Sequence, residues 1–216
     1  MPDLQFQILG AEVEPLAVSP MLAIKLRITN GGAGETIHSI ALRAQLQIES
    51  TRRSYTPEEQ SRLRDLFGEP ERWAQTLRNF LWTHVSTIVP AFCGATEVKL
   101  PVPCSFDFNA ATTKYFAGLA EGEIPVCLQF SGSVFYAQGD GPLQVMPISW
   151  AKEAHFRLPV KLWKELMETY YPGIAWLCLE RDTFERLYRY KVERGIPTWE
   201  QALESLLRGV EEEAKR

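Results

Sequence analysis

Seven side chains in this sequence could serve as metal donors or nucleophiles: His38, His84, His155, Cys93, Cys104, Cys127 and Cys178. A structural zinc site takes its ligands from close pairs on tight turns, because four donors must converge on a small ion at about 2.0–2.3 Å. No such pair occurs here. Cys93 and Cys104 bracket a hairpin-like segment with His84 upstream, so a Cys2His set is conceivable. Buried apolar cysteines are the commoner state, and no metal and no cofactor are expected. A cysteine nucleophile needs a lowered pKa and a nearby histidine base. Cys127 and Cys178 lie in apolar runs that suggest packing, which leaves Cys104, between Pro103 and Ser105, as the exposed candidate.

His84 follows Leu81-Trp82-Thr83, whose aromatic and hydroxyl groups could hold an imidazole in one tautomer; a core or interface histidine is the plainer alternative. Glycine-rich GAGE at Gly32–Glu35 and GLAEGE at Gly118–Glu123 lack the lysine, hydroxyl or third glycine of a phosphate-binding loop. Arg181, Arg186, Arg189, Lys191 and Arg194 make a basic helix with Tyr188 and Tyr190. Interleaved Glu180, Asp182, Glu185 and Glu193 nearly cancel that charge, so a solvated face is expected rather than a nucleic-acid site.

The elements that must position these residues follow two periods. From Ile37 to Ser50, His38, Ile40, Leu42, Ala44, Leu46 and Ile48 alternate with polar residues, which predicts a long, central, half-buried strand. Leu4–Ile8 and Leu22–Ile28 repeat the pattern, and the glycine-rich loop after Asn30 predicts that the second of them forms a hairpin with the central strand. Thr56-Pro57-Glu58-Glu59 is a capping box that opens a short helix to about Phe67, with Leu63, Leu66 and Phe67 inward. A second short helix follows from Pro70, with Trp73, Leu77 and Phe80 on one side. Strands are expected again at Leu81–Val89, Glu97–Val102 with Phe106 and Phe108, Glu123–Tyr136 with a bulge at Ser131-Gly132, and an edge strand at Leu143–Met146. One or two helical turns fall at Thr112–Leu119. From Pro159 the period turns helical, with three stripes: Trp163, Leu166, Met167 and Tyr170; Phe184, Leu187, Tyr188 and Val192; Leu203, Leu206, Leu207 and Val210. The expected fold is therefore mainly β with α. Residues 1–158 should form an antiparallel immunoglobulin-like β-sandwich with a helical insertion at about 56–79, and residues 159–216 a three-helix C-terminal appendage packed on the sandwich.

Composition narrows the functions. The 216 residues are 45% hydrophobic and 23% charged, enough for a substantial core, and the formal charge of −4 gives no general attraction to nucleic acid or anionic membrane. The uncharged stretch 79–96 is too polar for a membrane span, and the opening MPDLQFQILG has no signal-peptide pattern, so a cytoplasmic protein with reduced thiols is expected.

The segments LFGEPERWAQTLRNFLWTHVSTIVPAF (66–92), LPVPCSFDF (100–108) and GEIPVCLQFSGSVFY (122–136) resemble an uncharacterised bacterial family, a domain of unknown function whose genes often stand beside those of nickel-iron hydrogenases. The likeness extends over nearly the whole chain, and the family brings no established catalytic residue with it. The resemblance implies a hydrogenase subunit or maturation factor as partner. The residues themselves favour a non-catalytic accessory or protein-interaction protein, with Trp73, Trp82, Trp163 and Trp199 as partner-binding candidates and a homo-oligomer left open. The alternative is a small-ligand-binding or enzymatic domain with a pocket between sandwich and helices, built from His84, Cys104, Tyr115 and Tyr136. Whether the chain is an enzyme stays open on these residues, with the balance against it. A metallochaperone is a third, weaker idea.

Overall fold

A computed structural model describes residues 1–32, 35–104, 110–139, 141–174, 177 and 179–214. Eight strands alternate with helices in chain order: β1 (Leu4–Val13), β2 (Met21–Asn30), β3 (Glu35–Ile48), α1 (Pro57–Arg62), α2 (Arg64–Phe67), α3 (Trp73–Thr76), β4 (Phe80–Val89), β5 (Ala95–Pro103), α4 (Ala110–Gly118), β6 (Glu123–Gln138), β7 (Gln144–Pro147), β8 (Glu153–Pro159), α5 (Val160–Tyr170), α6 (Arg181–Glu193) and α7 (Trp199–Ala214). All strand pairs are antiparallel. One sheet has the order β1-β2-β5; the other runs β4-β3-β6 and ends in β7 and β8, which both pair with β6.

The central strand is the one the alternation predicts: β3 pairs along most of its length with β4 on one side and β6 on the other. Two details differ. The register slips between Ile37 and Ser39, so Ile37 is buried and His38 faces solvent instead of joining Ile40 and Leu42. A bulge of one residue inverts the facing of what precedes it. The expected hairpin between β2 and β3 does not form. β2 pairs with β1 and β5, and the chain passes to the other sheet after Asn30. Asn30 Oδ1 accepts from the backbone N–H groups of Asp3 (3.0 Å) and Gly32 (3.1 Å), so its amide directs the chain out of β2. Residues 33 and 34 of the loop lie outside the described set, as do Cys178 and the expected strand positions Phe106 and Phe108.

The bulge expected at Ser131-Gly132 does not appear towards β3, where pairing is continuous from Ala44/Phe130 to Ala41/Ser133. The irregularity sits on the other side. β7 and β8 are two pieces of one edge interrupted at 148–152, with Ile148 N–H donating to Gly132 O and Phe130 N–H to Lys152 O. Gly132 has φ of 133°, and a Cβ there would come within 1.9 Å of Ala41 O, so only glycine fits against β3. The interruption carries Trp150, which is 91% exposed.

The apolar faces of both sheets feed one buried cluster, including Leu22, Leu26 and Ile28 of β2, Leu42 and Leu46 of β3, and Leu128 and Phe130 of β6. Phe6 of β1 stacks on Phe130 with centroids 4.3 Å apart, joining the sheets ring to ring. Between β3 and β4, the capping box forms as predicted: Glu59 N–H donates to Thr56 Oγ1 and Thr56 N–H to Glu59 Oε2. Leu63 and Phe67 are buried beneath it, and Gly68 (φ 76°) ends α2.

Two compact units divide at Ile174/Ala175. Helix α5 belongs to the first: Val160, Trp163 and Leu166 are buried, and the Trp163 ring meets Phe116 of α4 at 4.3 Å. The helical period therefore begins one helix, α5, before the second unit does. In the second unit α6 and α7 are linked by the Tyr190–Ser205 hydroxyl pair (2.9 Å) and by Trp199 packed beside Phe184. Thr198 Oγ1 caps α7 by accepting from Gln201 N–H.

Candidate functional site

The four ligand-site candidates take up separate positions. Cys104 is 3% exposed, its thiol donating to Val102 O, and burial pushes its pKa up to about 12. It is thus a packed thiol rather than an exposed nucleophile. Tyr115 is fully buried on α4, its hydroxyl 2.8 Å from that of Tyr55. Tyr136 is buried opposite Ile37, seven residues along β6 from Gln129 and so about 23 Å away at 3.3 Å per residue. His84 is exposed on β4 beside Gln45, on the solvent face and not in the core. Its neighbours fix its tautomer: Gln45 donates its amide N–H to Gln129, so Gln45 Oε1 accepts from His84 Nε2 at 3.1 Å.

Three of the four tryptophan candidates are packing residues. Trp73 is buried and donates Nε1–H to Gly68 O at 2.9 Å; Trp82 and Trp163 are buried and both pack against the Phe116 ring. Trp199 is half-buried on α7. Among the described tryptophans Trp150 is the most exposed, and it lies in the edge interruption, a position that apolar alternation does not single out.

A buried polar knot fastens the α1 insertion to the sheet. Arg53 reaches Glu59 through two hydrogen bonds of 2.8 Å and also donates to the carbonyls of Glu121 and Glu123. Burial opposes ionisation of Glu59, but Arg53 and the N–H groups of Ala120 and Thr56 outweigh it and hold the pKa at about 2. Tyr55 donates to Ser50 O beside this pair, and burial next to Tyr115 raises its pKa far above the phenol range. Every group here has a structural partner.

The cluster with donors to spare is on the solvent face of the second sheet. Cys127 of β6 lies between Gln47 of β3 and His155 of β8, and Glu153, two residues before His155, shares its side of β8. One donor atom each from Cys127, Glu153 and His155 can be chosen so that all lie within 4.8 Å of one another. His155 Nε2 is 3.4 Å from Glu153 Oε1, and the Cys127 thiol points at Glu153 Oε2 at 3.9 Å. The other ring nitrogen, Nδ1, is 3.2 Å from Glu49 Oε2, and Glu49, only 7% exposed, is pinned by Arg52 Nη1 at 3.1 Å. Glu49, Arg52, Pro125, His155, Phe156 and Arg157 line a cleft of 210 Å³ at this point. Burial, followed by the Glu153 and Glu49 carboxylates, drives the Cys127 pKa up to about 11, the reverse of what a thiolate nucleophile requires. The sequence hides this cluster because its members come from two strands, β6 and β8, far apart along the chain. Alternation of Ala154, Phe156 and Leu158 against Glu153, His155 and Arg157 is the signal that would have exposed β8 and put Glu153 and His155 on one face.

A second feature lies in the helical unit. Among its described residues only Ala202 is a buried hydrophobic, whereas Phe184, Tyr188, Val192, Leu203, Leu206, Leu207 and Val210 are each at least 37% exposed. Leu177, Leu179, Leu187, Tyr190, Leu203 and Leu206 line a groove of 420 Å³ along the helix pair.

A model of a family of unknown function matches residues 1–215. The chain belongs to DUF6084. No curated protein matches the sequence. Among solved structures, a protein from Bordetella pertussis designated ApaA is similar over 73% of this chain and 93% of its own, at 14% identity and a TM-score of 0.24. β-Glucosidase 3B from Thermotoga neapolitana is similar over 72% of this chain at 15% identity and a TM-score of 0.25, and the match spans only 17% of the glucosidase. No helix among the described residues is long and apolar enough to cross a membrane.

Proposed function

We propose that this DUF6084 member is a non-catalytic cytoplasmic accessory protein: an immunoglobulin-like β-sandwich that carries a helical docking unit for a protein partner. The observation that carries the reading is the α6–α7 pair, which leaves two apolar stripes exposed while burying only Ala202 among its described hydrophobic residues. An amphipathic helix hairpin is stable when its stripe is covered, and a groove lined by leucines along two helices suits the apolar side chains of a partner helix. Strand order supports the sandwich. Lettered along the chain, the sheets read A-B-E and C′-C-F-G, with the edge strand G split into β7 and β8; the fourth strand joins the C-F-G sheet rather than A-B-E. Free thiols at Cys93, Cys104 and Cys127 suit a reducing compartment.

The partner we assign is a subunit or maturation factor of a nickel-iron hydrogenase, on the gene neighbourhood of the family the sequence resembles. Tagged full-length chain should recover such a protein from its native host, as read by quantitative mass spectrometry. A variant with Leu206→Asp and Val210→Asp should lose it at unchanged helix content and melting temperature. Recovery of no hydrogenase component above the level of the double variant would overturn the assignment.

A further inference from the structure

We propose that Cys127, Glu153 and His155 form a binding site for a divalent cation of the zinc class, with Glu49 as the positioning residue that holds the His155 ring. Three features of the face built by β3, β6 and β8 carry this, and none depends on the docking unit.

The donor set is one sulfur, one imidazole nitrogen and one carboxylate, the combination that borderline-soft ions take in preference to calcium or magnesium. Its dimensions are close to those of a tetrahedral centre, whose donors stand about 3.3–3.8 Å apart when the bonds are about 2.0–2.3 Å. The imidazole–carboxylate side measures 3.4 Å and the thiol–carboxylate side 3.9 Å, through the two oxygens of Glu153, and no side of the triangle exceeds 4.8 Å. Rotation of the half-exposed Glu153 and His155 side chains closes the remaining gap, whereas the Cys127 end is fixed by its strand.

The ring of His155 is held as a ligand ring is held. Glu49 is buried, pinned by Arg52 and placed to accept from Nδ1–H. In the neutral ring Nε2 is then the lone-pair nitrogen, and it faces the Glu153 carboxylate. Two acceptors that face each other at 3.4 Å repel unless a cation or a proton lies between them. A carboxylate behind the distal nitrogen of a ligating histidine is the usual device for fixing both tautomer and orientation. Three protein ligands leave a fourth position, which here opens to solvent, for water or a side chain supplied by another molecule.

The test uses full-length chain purified without an affinity tag, stripped with chelator and titrated with Co²⁺ as the probe. One equivalent should develop the visible bands of a tetrahedral ion together with a thiolate-to-cobalt absorption in the near ultraviolet, and Zn²⁺ should displace it. Cys127→Ser should abolish the sulfur band, and Cys93→Ser should leave it intact. Glu49→Gln should weaken binding about 10–100-fold while the band keeps its shape, the signature of a positioning residue. His155→Ala, a change to a partly exposed side chain, should weaken binding at least about tenfold with the metal-free fold unchanged by circular dichroism, and it serves as the decisive variant if Cys127→Ser does not fold. No sulfur band in the parent chain, a band that survives Cys127→Ser, or affinity indifferent to His155→Ala overturns the site.

Discussion

Glu59 shows how much one side chain can carry. Its carboxylate closes the α1 capping box and accepts both arms of Arg53, with 2% of the side chain exposed. Its folded pKa of about 2 lies below the ordinary 4.5, so the stabilisation is complete above pH 4.5 and is lost as pH falls towards 2. The difference corresponds to about 3 kcal/mol. Glu59→Gln should therefore lower stability at neutral pH by about 3 kcal/mol, since it leaves a buried guanidinium without its counter-charge, and should flatten the acid limb. Chemical denaturation at pH 7, 4.5 and 3 checks both; an unchanged slope between pH 4.5 and 3 would remove Glu59 from the account. The capping-box half of this residue's role was legible in Thr56-Pro57-Glu58-Glu59. The Arg53 half was not, because an ion pair folded back across the insertion leaves no periodic trace. His38 was misplaced for a related reason: alternation assumes an unbroken register, and one bulge reverses a facing.

At the level of elements, strong periodicity carried over well. β1, β2, β3, β4, β6 and α1 lie where alternation, turn residues and caps put them. Pairing was less accessible, because a glycine-rich loop is equally suited to a tight hairpin and to a crossing between sheets; Asn30 settles it only through contacts to Asp3 and Gly32. β8 escaped notice because its seven residues run directly into α5. The same omission concealed the Cys127 cluster, so a missed strand became a missed site. Caps make a clean test at this scale. Thr56→Ala removes one of the two reciprocal bonds and should cost about 1 kcal/mol. The loss should register as a lower melting temperature, and Thr56→Ser should restore most of it. Equal loss in both variants would point to the methyl group instead.

Over the whole molecule, the largest feature is the common apolar cluster fed by both sheets. Because Phe6 and Phe130 stack between β1 and β6, the two sheets should unfold together. Phe130→Ala should cost about 3–5 kcal/mol and accelerate amide exchange in β2 as much as in β6. Exchange raised only in β6 would mean that the sheets are energetically separate. Sequence composition gave a fair account of this core. In the helical unit periodicity located the apolar stripes of α6 and α7, most of whose residues are open to solvent; it reports amphipathicity and not what covers the apolar side.

The break at 148–152 bears on solubility. β6 is 16 residues long, and an uninterrupted neighbour would present a matching ladder of unpaired N–H and C=O groups to any other chain. Splitting that border into pieces of four and seven residues, with Pro147 and Pro159 withholding donors and Lys152 beside the gap, shortens the ladder open to another chain on that side. An inhospitable rim on that side lets the folded chain stay dispersed when nothing covers it.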